Sequence, residues 1–371
     1  MGKVEIDHTG SGSGITLSSD GTSLLLGGSA VGGSPDLYAE NYDGTSTLPS
    51  ATGTNSVAIG IVAVASGSQA MAFGEGSTAS GNDSLALSDA TASANNTIAI
   101  GAGASADSAS GIAIGKVARS FSSGVALGKD AQTNGAAAVS LGSSYNSGAG
   151  SFAAVIDNNT SSYGASGANS IAMGYQAKAT GNKSVCISQE STASGSNSVV
   201  IGGYGNVADA TYSFASGQYA DTKSIFGKMA RANGRFSATG DAQFGTFVLR
   251  SDTTDATAEP MTTANTPTSS LNITQIVVPS NAAFAFHGTI VAKQSGSANA
   301  AAWKVEGLIV NNGGTTTLTN SATTVISNTP SWSMALSADD TNDALAITVT
   351  GAASTDIRWV ATIHTSEVIY A

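Results

Sequence analysis

From residue 57 onward, large apolar residues alternate with small ones and the alternation recurs at a fixed interval. The fragments are Val57-Ala58-Ile59-Gly60, Met71-Ala72-Phe73-Gly74, Leu85-Ala86-Leu87-Ser88, Ile98-Ala99-Ile100-Gly101, Ile112-Ala113-Ile114-Gly115, Val125-Ala126-Leu127-Gly128 and Val139-Ser140-Leu141-Gly142. Their fourth positions fall at 60, 74, 88, 101, 115, 128 and 142, steps of 13 or 14, and a second series ends at 174, 188 and 202. Period-two alternation places both large residues of each fragment on one side of a strand and the small residue on the other. Between fragments lie short segments such as Ser77-Thr78-Ala79-Ser80-Gly81, a second extended piece closed by a glycine turn. Two short strands and two turns per repeat predict one coil of a parallel β-solenoid, too narrow for two large side chains to meet inside it. Asn55, Asn82, Asn96, Asn169 and Asn197 precede repeats and are expected at left-handed turn positions, which asparagine tolerates.

The pattern differs at both ends. Within residues 1–50, Val4-Glu5-Ile6-Asp7, Ile15-Thr16-Leu17 and Leu24-Leu25-Leu26 are strand-sized clusters between Gly/Ser turns, followed by a linker from Pro35 to Pro49. From about 245, Thr, Val and Trp rise and glycine thins. Strands are predicted over Thr246–Arg250, Thr274–Val278, Ala283–Lys293, Ala302–Val310, Thr315–Thr319, Thr324–Ser327, Ser331–Ser337, Ala344–Thr350 and Arg358–Val368. Their spacing of roughly ten residues is that of an antiparallel β-sandwich or jelly roll. The chain therefore reads as all-β in three parts: 1–50, a repeat region over 51–235 with an insertion near 143–168, and 245–371.

Composition narrows the class. Charged residues make 11% of the chain and hydrophobic ones 41%, the opposite of a disordered chain. Forty-five glycines without a three-residue phase exclude collagen. The net charge of −11, with only 14 Lys and Arg, argues against a nucleic-acid partner. The lone cysteine, Cys186, stands where other repeats have Ala and reads as a small buried packing residue. No apolar run approaches the roughly 18 residues of a membrane helix, so the chain is not expected to be membrane-embedded. The opening MGKVEIDHTGSGSG has no secretory pattern, and Ile6 occupies the place where myristoylation wants Ser or Thr. The expectation is synthesis in a host cytoplasm.

The string Asn-Ser-Val-Ala-Ile-Gly at 55–60, with Ala63-Val64-Ala65-Ser66-Gly67 and Ala177-Lys178-Ala179-Thr180-Gly181 between repeats, resembles the YadA-like head repeat of trimeric autotransporter adhesins. The resemblance covers about residues 51–235. It implies a left-handed parallel β-roll and a homotrimer whose apolar seam runs down the threefold axis. A calcium-binding nonapeptide roll would need an Asp in each repeat, which is missing, and a hexapeptide helix would need a six-residue phase. Bacterial adhesins of this kind carry a signal peptide and a membrane anchor, neither of which is expected here. Instead, KVEIDHTGSGSGITLSSDGTSLLLGG at the start, and Ala301–Gly307 and Asp356–Val360 near the end, resemble segments of tailed-phage fibre and receptor-binding virion proteins.

Candidate chemistry is sparse. The segment 143–168 reads either as a recognition loop, with Tyr145 and Tyr163 stacking on a sugar, or as a tolerated insertion. Trp303, Trp332 and Trp359 read either as sugar platforms or as sandwich core. Asp339, Asp340 and Asp343 form a calcium candidate whose alternative is a solvated hairpin tip. His8 reads as a turn residue, and His287 and His364 sit within strand patterns. Nothing resembles a catalytic triad, and few carboxylates share a phase, so no enzyme and no cofactor are expected. The resulting function is a phage tail fibre or other virion appendage. It would dock on tail or virion proteins through residues 1–50 and bind a host surface glycan or protein multivalently. The alternatives are a bacterial surface adhesin head and a tailspike that degrades polysaccharide.

Overall fold

The structure is a computed structural model. It describes residues 46–155, 162–266, 270–328 and 332–370, together with the backbone of four short strands before residue 32. His8 and most of the Pro35–Pro49 linker lie outside the described residues. By internal contacts the chain divides into Met1–Val117 and Ala118–Ala371.

In the first unit, Val4–Ile6, Ile15–Ser19, Leu24–Leu26 and Ser29–Val31 pair consecutively as a four-stranded antiparallel sheet. The repeats then form solenoid coils, each contributing a three-residue strand to one parallel sheet and a two-residue strand to another. In the first sheet Val57 lies beside Met71, Met71 beside Leu85, Leu85 beside Ile98 and Ile98 beside Ile112. The inward partners in the same registers are Ala58, Ala72, Ala86, Ala99 and Ala113. In the second sheet Ala65, Ala79, Ala92 and Ala106 point inward in turn, while Ala51, in the first rung, is exposed. The coil interior is thus filled by alanine methyls, nearly all fully buried, while the large residues stand half-exposed on the outer face. A methyl buries little apolar area, so each coil relies on its backbone ladder and on hydroxyls that satisfy turn carbonyls. Ser84 Oγ donates to Gly81 O at 2.6 Å and Thr97 Oγ1 to Ala94 O at 2.6 Å.

The turns hold the left-handed residues that the sequence predicts, with one exception. Asn55, Asn96, Asn169 and Asn197 all have φ between 55° and 58°. At the third repeat Asp83 takes that conformation instead, at φ 55°. Asn82 turns its Oδ1 to accept from Ser68 N at 3.0 Å.

In the second unit a ladder of the same kind runs from Val125 through Val139, Phe152, Ile171, Val185, Val199 and Phe214 to Met229. Phe152–Val155 is a regular rung, so the chain's departure within 143–168 is a lengthened connection between Val155 and Gly164 rather than a missing coil. Two coils here carry buried Asn in place of Ala. Asn146 Nδ2 donates to Val139 O and Ser151 O, each at 3.0 Å, and Asn206 Nδ2 donates to Gly217 O at 2.7 Å.

Met229–Asn233 is the junction. It pairs in parallel with Phe214–Gln218 and antiparallel with Ala242–Thr253, so the solenoid sheet continues without a break into an antiparallel one. That sheet runs Ala242–Thr253, Ile357–Ile369, Ala282–Gln294, Ala300–Asn312, Thr315–Ser327 in spatial order. A second antiparallel sheet of Ala258–Pro260, Ile276–Val277, Ser333–Asp339 and Ala344–Thr350 completes the region. Phe247, Phe284, Ile290, Trp303, Trp359, Ile347 and Val349, drawn from both sheets, share one core. The two strands predicted over 315–327 are one 13-residue strand. It lies at the sheet edge with both faces largely exposed, so burial imposes no alternation for the sequence to display.

Candidate receptor-binding surfaces

Tyr145 lies on one rung of the narrower solenoid sheet and Tyr163 just before the next, Gly164–Ala165, where Asn146 is the partner of Ala165. Both are half-buried. Asn134 Nδ2 donates to Tyr145 Oη at 3.0 Å, and Lys178 Nζ sits 5.2 Å from the centre of the Tyr163 ring. Residues 156–161, at the middle of the insertion, are outside the described residues.

The tryptophans are placed differently. Trp303 and Trp332 are only 3% and 4% exposed, and both pack on Trp359, at centroid distances of 5.6 and 6.0 Å. Trp359 Nε1 donates to Thr253 Oγ1 at 3.0 Å. These rings are the centre of the sandwich core, so Trp303 and Trp332 offer no open face to a sugar, and the receptor-binding expectation for them is corrected. Inward-facing positions on long alternating strands explain why: Trp303 and Trp359 occupy buried phases of 13-residue strands.

The acidic residues of the calcium candidate are engaged by their neighbours at a hairpin tip. Asp339 accepts from Asn342 N at 3.1 Å and from Asn342 Nδ2 at 2.8 Å. Asp340 accepts from Thr316 N at 2.6 Å and Asp343 from Thr316 Oγ1 at 2.8 Å. The three carboxylates cap a hairpin and tie it to the edge strand. Among the described residues no group of three or more His, Cys, Asp or Glu is arranged to hold a metal ion.

A surface that the sequence reading missed lies on one corner of the last coils. Tyr175, Glu190, Tyr204 and Tyr219 recur at steps of 15, 14 and 15, at the same corner. Tyr204 Oη donates to Glu190 Oε2 at 2.6 Å, and this bond to a carboxylate pushes the phenol up to about 12. Tyr204 and Tyr219 meet edge-to-face at 5.3 Å, and the Arg235 guanidinium lies 3.9 Å over Tyr219. The available signal was the recurrence of these residues just past the strand positions that carry the repeat. A separate cavity of about 490 Å³ opens at the far end of the long strands, lined by Asp252, Lys293, Gln294, Asp356 and Arg358 among others.

Cys186 is a packing residue, as expected. It is fully buried between Ala172 and Val200, its thiol 3.3 Å from Ser191 O, and burial raises its pKa to about 11.

Comparison with known proteins agrees with this geometry. The YadA head domain repeat matches residues 51–74, 65–87 and 165–185. The repeat region in which those residues lie is a parallel β-solenoid, followed by antiparallel sheets. No curated protein matches the chain. Among solved structures, a similar chain is the tailspike gp49 of Acinetobacter baumannii bacteriophage Fri1, a capsular polysaccharide depolymerase. That likeness spans 84% of this chain and 67% of that one, at 11% identity and a TM-score of 0.23. At that score neither fold detail nor activity carries over. Among the described residues no helix is long and apolar enough to cross a membrane.

Proposed function

We propose that this protein is a homotrimeric virion fibre of a tailed phage that attaches to a host surface glycan or protein by multivalent, non-covalent binding. The observation that supports the trimer most directly is the inversion of the coil: alanine is inside and the large residues are outside. In the second unit Met173, Ile187, Ile201 and Met229 are each 38–50% exposed in one chain. A regular ladder of such residues is an apolar face of the kind that association buries. Three copies packed along it would bring three equivalent receptor surfaces together, and avidity would multiply weak contacts by about 10²–10⁴. Residues 1–50 would serve docking on tail or virion proteins. Tyr145 and Tyr163, beside the lengthened connection, and the Tyr204 corner are the receptor surfaces we favour.

The test is sedimentation equilibrium combined with cell binding. The wild-type chain should sediment at three times its monomer mass, and Ile187→Glu with Ile201→Glu should reduce that mass to the monomer's. The monomer should lose at least about a hundredfold in apparent affinity for host cells. A folded wild-type monomer that binds equally well would overturn the reading. Release of reducing ends from host capsule would favour the depolymerase alternative.

A further inference from the structure

The chain has three histidines, and the fold places two of them directly opposite each other. His287, in Ala282–Gln294, is the cross-strand partner of His364, in Ile357–Ile369. Their ring centres are 5.4 Å apart with the planes tilted by 37°. Both project from the sheet face that the core does not use. One row of that face reads Thr246, His364, His287, Glu306 across four strands.

The surroundings prepare the pair as ligands. Thr246 Oγ1 lies 3.2 Å from His364 Nδ1, which leaves Nε2 as the free nitrogen. Phe244 stacks on the His364 ring at 5.6 Å and 17°, holding its plane. The His287 ring has no hydrogen-bond partner among the described residues. Glu306 follows in the row and is ion-paired with Lys304 at 3.1 Å. Metal-bound imidazoles usually have their second nitrogen oriented by an outer partner, the role Thr246 would fill. With each ring nitrogen about 1 Å from its ring centre, modest χ rotation brings two nitrogens to the roughly 2.0–2.1 Å bonds of a shared ion.

We propose that His287 and His364 form a two-histidine chelate, within one chain, for a divalent late transition metal such as Zn²⁺ or Ni²⁺, with water completing the shell. Imidazole donors suit these ions, not calcium or magnesium. An ion held there would clamp Ala282–Gln294 to Ile357–Ile369, adding stability in proportion to its occupancy. The inference does not depend on the fibre reading.

Titration calorimetry of the chelator-treated full chain with ZnCl₂ and then NiCl₂ tests it. One ion per chain is expected. His287→Gln and His364→Gln should each weaken binding at least about 100-fold, and Thr246→Val, which keeps both rings, by about 10-fold. Unchanged titrations in both histidine variants, or one ion per three chains, would overturn the proposal. If a variant does not fold, histidine ring NMR of the wild-type protein decides. Zn²⁺ should shift the His287 and His364 signals and leave His8 in place; a uniform response or none would overturn the chelate.

Discussion

A glycine at the coil corner shows how little room the stack leaves. A Cβ on Gly181 would lie 2.1 Å from Gly195 O and 2.6 Å from Gly195 C, backbone atoms of the next coil that cannot step aside. Gly181→Ala is expected to cost about 1–3 kcal/mol, as overpacking does, read as a lower urea midpoint. Cys186 gives the complementary case. Cys186→Ala restores the residue of most coils and should stay within about 1 kcal/mol of wild type, whereas Cys186→Leu should lose about 1–3 kcal/mol. The buried thiol should also resist a disulfide reagent at pH 8 until the protein unfolds, since so little thiolate forms there. At this scale the sequence is only partly legible. Asn55 and Asp83 serve the same turn, so residue type marks the corner without fixing which position bends. Trp303 and Trp332 show the same limit: composition identifies a tryptophan, but only strand phase and a second sheet decide that it is core.

Among the elements, the approach to the junction strand carries the arrangement that the sequence could not show. Lys228 Nζ and Glu367 Oε2 are 2.7 Å apart, both side chains fully buried, from residues 139 apart in the chain. Gln243 Nε2 donates to the same carboxylate oxygen at 2.7 Å and Thr365 Oγ1 to the other at 2.7 Å. Lys228 Nζ also lies 5.5 and 5.7 Å from the Phe247 and Phe284 ring centres. Removing one partner leaves an unpaired buried charge, so Lys228→Met or Glu367→Ala should each cost about 3–5 kcal/mol. The double variant Lys228→Met with Glu367→Leu should recover much of that loss, and a double-mutant cycle in urea measures the recovery. Acid should loosen a neighbouring turn. Burial alone would raise the pKa of Asp209. Bonds from Ser224 Oγ at 2.6 Å, Ser224 N at 2.8 Å and Thr222 Oγ1 at 2.8 Å outweigh it, and the carboxyl is held below its usual value. A lowered folded value stabilises above the unfolded pKa of about 3.9 and is lost as pH falls through the folded one. Stability should therefore drop below about pH 4, and Asp209→Asn should flatten that part of the pH–stability curve. Strand positions were readable wherever one face is buried. The edge strand Thr315–Ser327 was split in the sequence reading because it lacks that constraint.

For the molecule as a whole, the repeat was legible because every coil solves the same packing problem with the same residues. The two-sheet C-terminal region was legible for a similar reason, its strands alternating at regular spacing. The outward ladder was also visible in the phase of Val, Ile, Leu and Met. What the phase does not contain is any pairing between distant segments, such as His287 with His364 or Lys228 with Glu367, because register between strands far apart in the chain is set by the finished sheet. The trimer prediction belongs at this scale. Loss of the assembly in the Ile187→Glu, Ile201→Glu variant should leave the far-ultraviolet circular dichroism of the coils in place, since neither side chain contributes to a coil interior.

The alanine interior has one more consequence. Because a coil touches only its neighbours and all coils present nearly the same interior, a whole repeat is exchangeable. Excising residues 182–195 would join Gly181 to Ser196-Asn197-Ser198, recreating the Gly-x-x-Ser corner of Gly181-Asn182-Lys183-Ser184. The shortened chain should fold, with its parallel stack shorter by about 4.8 Å. The height of the stack is thus a quantity that duplication or loss of a short stretch of gene can adjust in fixed increments, one coil at a time.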